Sequence, residues 1–102
     1  MQFEKEIKTQ FFNRREKIVN EKVLIAGRYK KHDKIGSGGY IKKISEDFRV
    51  HARIVGNCLY FHIDRTDSNR FHNSYLSHKD KEFLKNEIKH LRKICRELNF
   101  YV

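Results

Sequence analysis

From Phe48 to Arg65 the chain reads FRVHARIVGNCLYFHIDR, two runs of alternating apolar and polar residues on either side of Gly56-Asn57. Side chains alternate between the faces of a strand, and a Gly/Asn pair is a two-residue turn signal. The pattern therefore predicts a β-hairpin of strands 48–55 and 58–64. The turn sets the register. Val55 faces Cys58, Ile54 faces Leu59, Arg53 faces Tyr60, Ala52 faces Phe61, His51 faces His62, Val50 faces Ile63 and Arg49 faces Asp64. One face then carries Phe48, Val50, Ala52, Ile54, Leu59, Phe61 and Ile63, and the other Arg49, His51, Arg53, Val55, Cys58, Tyr60, His62 and Asp64. A slip of one residue would mix both faces. The first face is assigned to the core. The second should keep Arg49, Arg53, His51 and His62 at least partly accessible.

A second clear pattern lies in residues 78–98. Phe83, Leu84, Ile88, Leu91, Ile94, Cys95 and Leu98 form an apolar stripe at helical spacing, and Ser77 with Asp80 resembles a capping box. Residues 2–20 read as another helix, with Phe3, Ile7, Phe11 and Ile18 as its apolar face and Asn20 as its stop. The short run KVLIA, 22–26, reads as a strand, and so does YIKKIS, 40–45. Between them GRYKKHDKIGSGG, 27–39, reads as a basic loop or an extended hairpin arm. DRTDSNRFHNSYLS, 64–77, reads as a polar connection tucked in by Phe71 and Tyr75. These elements predict one α+β domain over 1–102. A three- to four-stranded antiparallel sheet, a meander in its later strands, packs against N- and C-terminal helices in two layers, in the order α-β-β-β-β-α.

Charge adds a functional bias. The chain of 102 residues has a net charge of +10, with 38% hydrophobic and 35% charged residues. Such a balance favours polyanionic partners, nucleic acid ahead of an anionic membrane surface. No apolar leader or membrane-length run is evident, and Cys58 and Cys95 have no metal or redox spacing. A cytoplasmic protein in a reducing compartment, without membrane association, is expected.

Two constellations invite catalytic readings. GSGGY, 36–40, resembles the opening of the protein-kinase glycine loop. Ile41 stands where its third glycine would be, and no catalytic or metal-binding motif follows. No Lys-Ser/Thr completes a phosphate loop either, so a hairpin tip is the reading adopted. His51 and His62, paired across the hairpin, should have Cα atoms about 5.5 Å apart. Half-exposed histidines on a solvated face are the plain reading. With Asp64 they make a two-His, one-carboxylate set, but no fourth ligand suggests itself, so no metal and no cofactor are expected. As an acid–base pair they could cleave RNA, one taking the 2′-hydroxyl proton and the other protonating the leaving oxygen, beside Arg49 or Arg53. Small basic endoribonuclease toxins resemble this arrangement in residue types only.

Binding is the simpler use of these groups. Arg53 opposite Tyr60 forms a stacking pair, and Arg49, Lys42 and the loop cations Arg28, Lys30, Lys31 and Lys34 supply phosphate contacts. A second basic surface runs along the last helix as Lys81, Lys85, Lys89, Arg92 and Arg96. If that helix covers the hairpin's apolar face, the two surfaces point in opposite directions. The expected function is non-enzymatic binding of DNA or RNA through its phosphates. Two alternatives stand beside it. One is an accessory or inhibitor protein, of the phage or mobile-element kind, that docks on a nucleic-acid enzyme or ribonucleoprotein and blocks its groove. The other is the metal-independent endoribonuclease. The oligomeric state, homodimer included, is left open.

Overall fold

The computed structural model describes residues 4–10, 17–32, 39–67, 70–73 and 75–98. Among the described residues the elements follow as β1 (Glu6–Thr9), α1 (Lys17–Ala26), β2 (Lys30–Lys31), β3 (Gly39–Ser45), β4 (Phe48–Val55), β5 (Cys58–Asp67), β6 (Arg70–Asn73) and α2 (His78–Glu97). The fold is α+β, with one antiparallel sheet and two helices. The β4–β5 hairpin is its centre and has the register set out above, His51 opposite His62 and Val55 opposite Cys58. The sheet order is β1-β5-β4-β3-β2, with β6 also on β5. β1 pairs with Leu59–His62 and β6 with Asp64–Asp67, so the two lie end to end along one edge of β5. Six strands thus occupy five positions, more than the three or four expected.

Both helices contribute to the core beneath the hairpin's apolar face. Val50, Ala52, Ile54, Leu59, Phe61 and Ile63 are buried there with Val23 and Leu24 of α1 and Leu84, Ile88, Leu91 and Cys95 of α2. Tyr29 meets the Phe61 ring edge-on at 6.3 Å, a contact worth about 0.5–1.5 kcal/mol beyond its buried area. The start of α2 is a reciprocal capping box. The Asp80 amide donates to Ser77 Oγ at 3.1 Å, and the Ser77 amide donates to Asp80 Oδ2 at 3.2 Å. The Asp80 carboxylate also takes the Arg65 guanidinium, which ties the helix start to β5.

The amino-terminal half departs from the sequence reading twice. Glu6–Thr9 is a strand where a helix over 2–20 was expected, and KVLIA is the end of helix α1 where a strand was expected. Phe3, Ile7 and Phe11 are spaced by four, which fits a period of two as well as one of 3.6. In β1, Ile7 packs towards the core while Glu6 and Lys8 take the other face. In α1 the adjacent residues Val23 and Leu24 are both buried with Asn20, whereas Ile25 is 56% exposed. A helix can bury such neighbours on one face; a two-sided strand would have buried Val23 with Ile25. Asn20 is inside the helix rather than its stop.

The end of α1 reverses the usual order of residues. The Tyr29 amide bonds back to the Leu24 carbonyl and the Arg28 amide to that of Ile25, as in a Schellman cap. The left-handed position, φ +74°, is taken by Arg28 rather than glycine. Glycine stands one place earlier, where a Cβ on Gly27 would come within 2.5 Å of Leu91 Cδ2. A non-glycine residue at Arg28 costs about 1 kcal/mol of backbone strain. Arg28→Gly should therefore raise the unfolding free energy by roughly 0.5–1 kcal/mol, measured in urea. No gain would mean that the Arg28 side chain offsets its own strain.

Candidate nucleic-acid interface

The sheet face away from the helices is concave at the β2–β3 side. Arg28, Lys30, Lys31, His32, Ile41, Lys43, Glu46, Arg49 and Phe71 surround an open hollow of about 650 Å³. Alternation puts Lys30, Ile41, Lys43 and Arg49 on this face, because Lys30 pairs with Ile41 and Lys43 with Arg49. The Schellman turn delivers Arg28 to the rim. Lys30 and Lys31, in an extended arm paired to β3, supply the outer wall. Among the described residues no ion pair engages Arg28, Lys30 or Lys31. Lys43 pairs with Glu46 at 3.0 Å on the surface, a contact of little energetic weight.

Arg49 is the best-held cation of the hollow. Its Nε donates to Asp64 Oδ2 at 3.3 Å, and its guanidinium lies 3.8 Å from the Phe71 ring centre. Phe71 remains 38% exposed, an aromatic plane open to the hollow. About 13 Å further along β4, four residues on, Arg53 shares the face. It stacks over Tyr60 at 4.8 Å, as the cross-strand pairing suggested, and reaches Glu6 of β1 at 3.4 Å. Lys8 approaches the same ring at 5.9 Å.

Between these two arginines lies a histidine–carboxylate cluster. His51 Nδ1 is 2.9 Å from His62 Nε2, and that nitrogen is 3.1 Å from Asp64 Oδ1. The imidazoles meet edge to face at 4.4 Å. His51 was expected to be accessible, but it is only 4% exposed, and the His62 side chain 12%. Ile41 and His62 flank His51 across the strands and Arg49 and Arg53 along its own, so long neighbours close over it. Burial, then the nearby His62 charge, lowers the His51 pKa to about 4; Arg49 and His32 act the same way and Asp64 opposes them. For Asp64, burial pushes the pKa up. The His62 hydrogen bond and the charges of His62, Arg49 and His51 outweigh it and hold the carboxyl below its usual range.

Placement thus sorts the residues singled out in the sequence. Arg28, Lys30, Lys31 and Arg49 come together at one hollow. Arg53 and Tyr60 form a separate pair on the same face. Lys34 lies outside the described residues. Lys42 is on the opposite face: it pairs with core-facing Val50, and its Nζ binds Glu87 Oε1 of α2 at 2.7 Å. The run YIKKIS has no alternation by which to choose a face, and Tyr40 takes the core side with Lys42. On α2, the stripe is partly spent on docking β1 and its flank. Lys81 reaches Glu4 at 3.2 Å, Arg92 reaches Thr9 Oγ1 at 3.0 Å, and Lys85 lies 3.8 Å from Glu82. Lys89 and Arg96 are exposed.

Three contributors were missed in the sequence: Lys43, His32 as a wall residue, and above all Phe71. β6 pairs with β5 as a second hairpin, and that register puts Phe71 opposite Thr66. Its signal was the short polar stretch after Thr66, which can turn a strand as readily as it can end one. Among the described residues, no helix is long and apolar enough to cross a membrane. No protein-family model matches the chain, and no curated protein or solved structure matches it.

Proposed function

We propose that this protein binds nucleic acid through backbone phosphates, without catalysis, using the hollow beside β2 and β3 as its contact surface. The observation that carries this reading is the charge of the hollow. Among the described residues Arg28, Lys30, Lys31, Lys43 and Arg49 surround it with Glu46 as the single acid, and Phe71 presents a ring for stacking. Cations gathered at one hollow repel one another and are favourable chiefly when a polyanion is bound. Exposed aromatic planes beside them suit unpaired bases, so single strands are the preferred class over duplex. The burial of His51 also supports a binding role over a nucleolytic one. Its Nδ1 is turned on His62 and its Nε2 is sealed from solvent, so neither nitrogen reaches a bound 2′-hydroxyl.

The test is the salt dependence of binding to a short single strand. Each neutralised phosphate releases counterions, and with four to six contacts the log–log slope should be about −3 to −4. Joint replacement of Arg28, Lys30 and Lys31 by alanine should flatten that slope by about two units. Replacing Lys85, Lys89 and Arg92 should leave it nearly unchanged. Equal small losses from both sets would mean diffuse attraction and no site. Binding too weak to measure near about 150 mM salt, with tight salt-resistant binding to a protein, would replace this reading by the inhibitor one.

A further inference from the structure

The geometry points to a divalent metal site of the zinc class, formed by His51 Nδ1, His62 Nε2 and Asp64 Oδ1 on the open face of the β4–β5 hairpin. These three potential ligand atoms lie within 4.8 Å of one another. The two closest pairs, at 2.9 and 3.1 Å, approach the separation of about 3.3 Å that bonds of about 2.0 Å require at a tetrahedral ion. The third pair, His51 Nδ1 to Asp64 Oδ1, lies within 4.8 Å and would close towards the same separation as the two closer pairs open by a few tenths of an ångström.

The scaffold favours such a site. His51 and His62 are directly paired on adjacent central strands, and Asp64 follows His62 on the same face. Ligands on paired strands are held more firmly than ligands on loops. Arg49 binds the other carboxylate oxygen at 3.3 Å and leaves Oδ1 turned to the imidazoles, the orienting role outer partners take around metals.

Hydrogen bonding alone accounts poorly for this cluster. One proton on His62 Nε2 can serve both His51 Nδ1 and Asp64 Oδ1 as a forked bond. An ion in place of the shared proton would use all three lone pairs. Two nitrogens and one oxygen suit zinc, cobalt or nickel rather than magnesium or calcium. A water would supply the fourth ligand. This site does not depend on the nucleic-acid reading.

The experiment is titration of the whole chain with Zn²⁺ near neutral pH, followed by calorimetry, by thermal unfolding and by imidazole nitrogen NMR. One ion per chain should bind and raise the Tm, while Mg²⁺ at the same concentration should not. His62→Gln and Asp64→Asn should each weaken Zn²⁺ binding at least about 100-fold, the upper end of losses seen for outer partners alone. His90→Ala, on the exposed side of α2, should bind as the unaltered chain does. Should a variant fail to fold, the NMR of the unaltered chain decides, because only the ring nitrogens of His51 and His62 should shift. Absence of saturable one-to-one binding, undiminished binding by both variants, or shifts confined to other histidines would overturn the site.

Discussion

Lys42→Met should lower the unfolding free energy by roughly 2–3 kcal/mol, a large share of what a domain of this size has. Lys42 stands between the sheet and α2, its ammonium on Glu87 Oε1 at 2.7 Å and 5.6 Å from the Tyr29 ring centre. The two side chains are only 19% and 9% exposed. Removing the cation leaves a carboxylate that water cannot fully reach and that no other cation among the described residues pairs. The same carboxylate faces the Tyr29 phenol, whose pKa is raised by burial first and then by Glu87. Breaking one side of a buried pair typically costs about 3–5 kcal/mol; the exposure of Lys42 lowers the expectation. Lys42→Met with Glu87→Leu should recover all but about 1 kcal/mol, since two apolar side chains replace both charges together. Urea denaturation of the single and double variants measures this. A single variant within about 0.5 kcal/mol of the parent would show that the pair is solvated and dispensable.

The second large effect is acid destabilisation through His51. In metal-free protein, kept so with a chelator, stability should fall by about 2–3 kcal/mol between pH 7 and pH 4. The folded His51 has a pKa of about 4 against an ordinary 6.5. Within that window the unfolded chain binds the proton and the folded chain does not. Stability is therefore complete above about 6.5, is lost as the pH falls, and the loss from this group is finished below about 4. Asp64 acts in the same direction further down. Its folded pKa is depressed, so the stability it gives is present above the ordinary carboxyl value and disappears as the pH falls through the folded one. The groups around His51 are His62 and Asp64 on β5, Arg49 on its own strand and His32 beyond β2. His51→Gln should flatten the profile from pH 6.5 to 4 and leave the Asp64 limb. A variant profile parallel to that of the parent would locate the acid sensitivity elsewhere.

Legibility of the sequence tracked the strictness of local pattern. The hairpin could be read residue by residue because two strands alternate and one turn relates them. The carboxy-terminal helix was readable because stripe and capping box agree. Ile7 misled because a spacing of four serves both periodicities, and KVLIA misled because an unbroken apolar run has no period of its own. Lys42 was counted among the phosphate contacts for a related reason, as neighbouring lysines in YIKKIS leave the face undetermined until β4 supplies it. The pairing of His51 with His62 could be seen, and so could Asp64 beside them. Their depth could not, since it depends on Ile41 across β3 and on an arginine folded back towards Phe71.

The shared edge of β5 has a consequence for biosynthesis. β1 is the earliest described strand to leave the ribosome, yet its place lies beside Leu59–His62, on the far side of the hairpin from β3. β5 can pair with β4 and β6 as soon as those neighbours emerge, because only two residues separate each of them from β5. β1 must instead wait while half the chain is made, and closing so long a loop carries its entropy cost before any contact is gained. The earliest described strand is thus seated across the longest loop of the sheet. Until then the Leu59–His62 edge offers open backbone donors and acceptors to any extended segment nearby, including the same edge of another nascent copy. Crowded polysomes and a shortened amino terminus would expose the same hazard, and a chaperone able to cover one strand would relieve it.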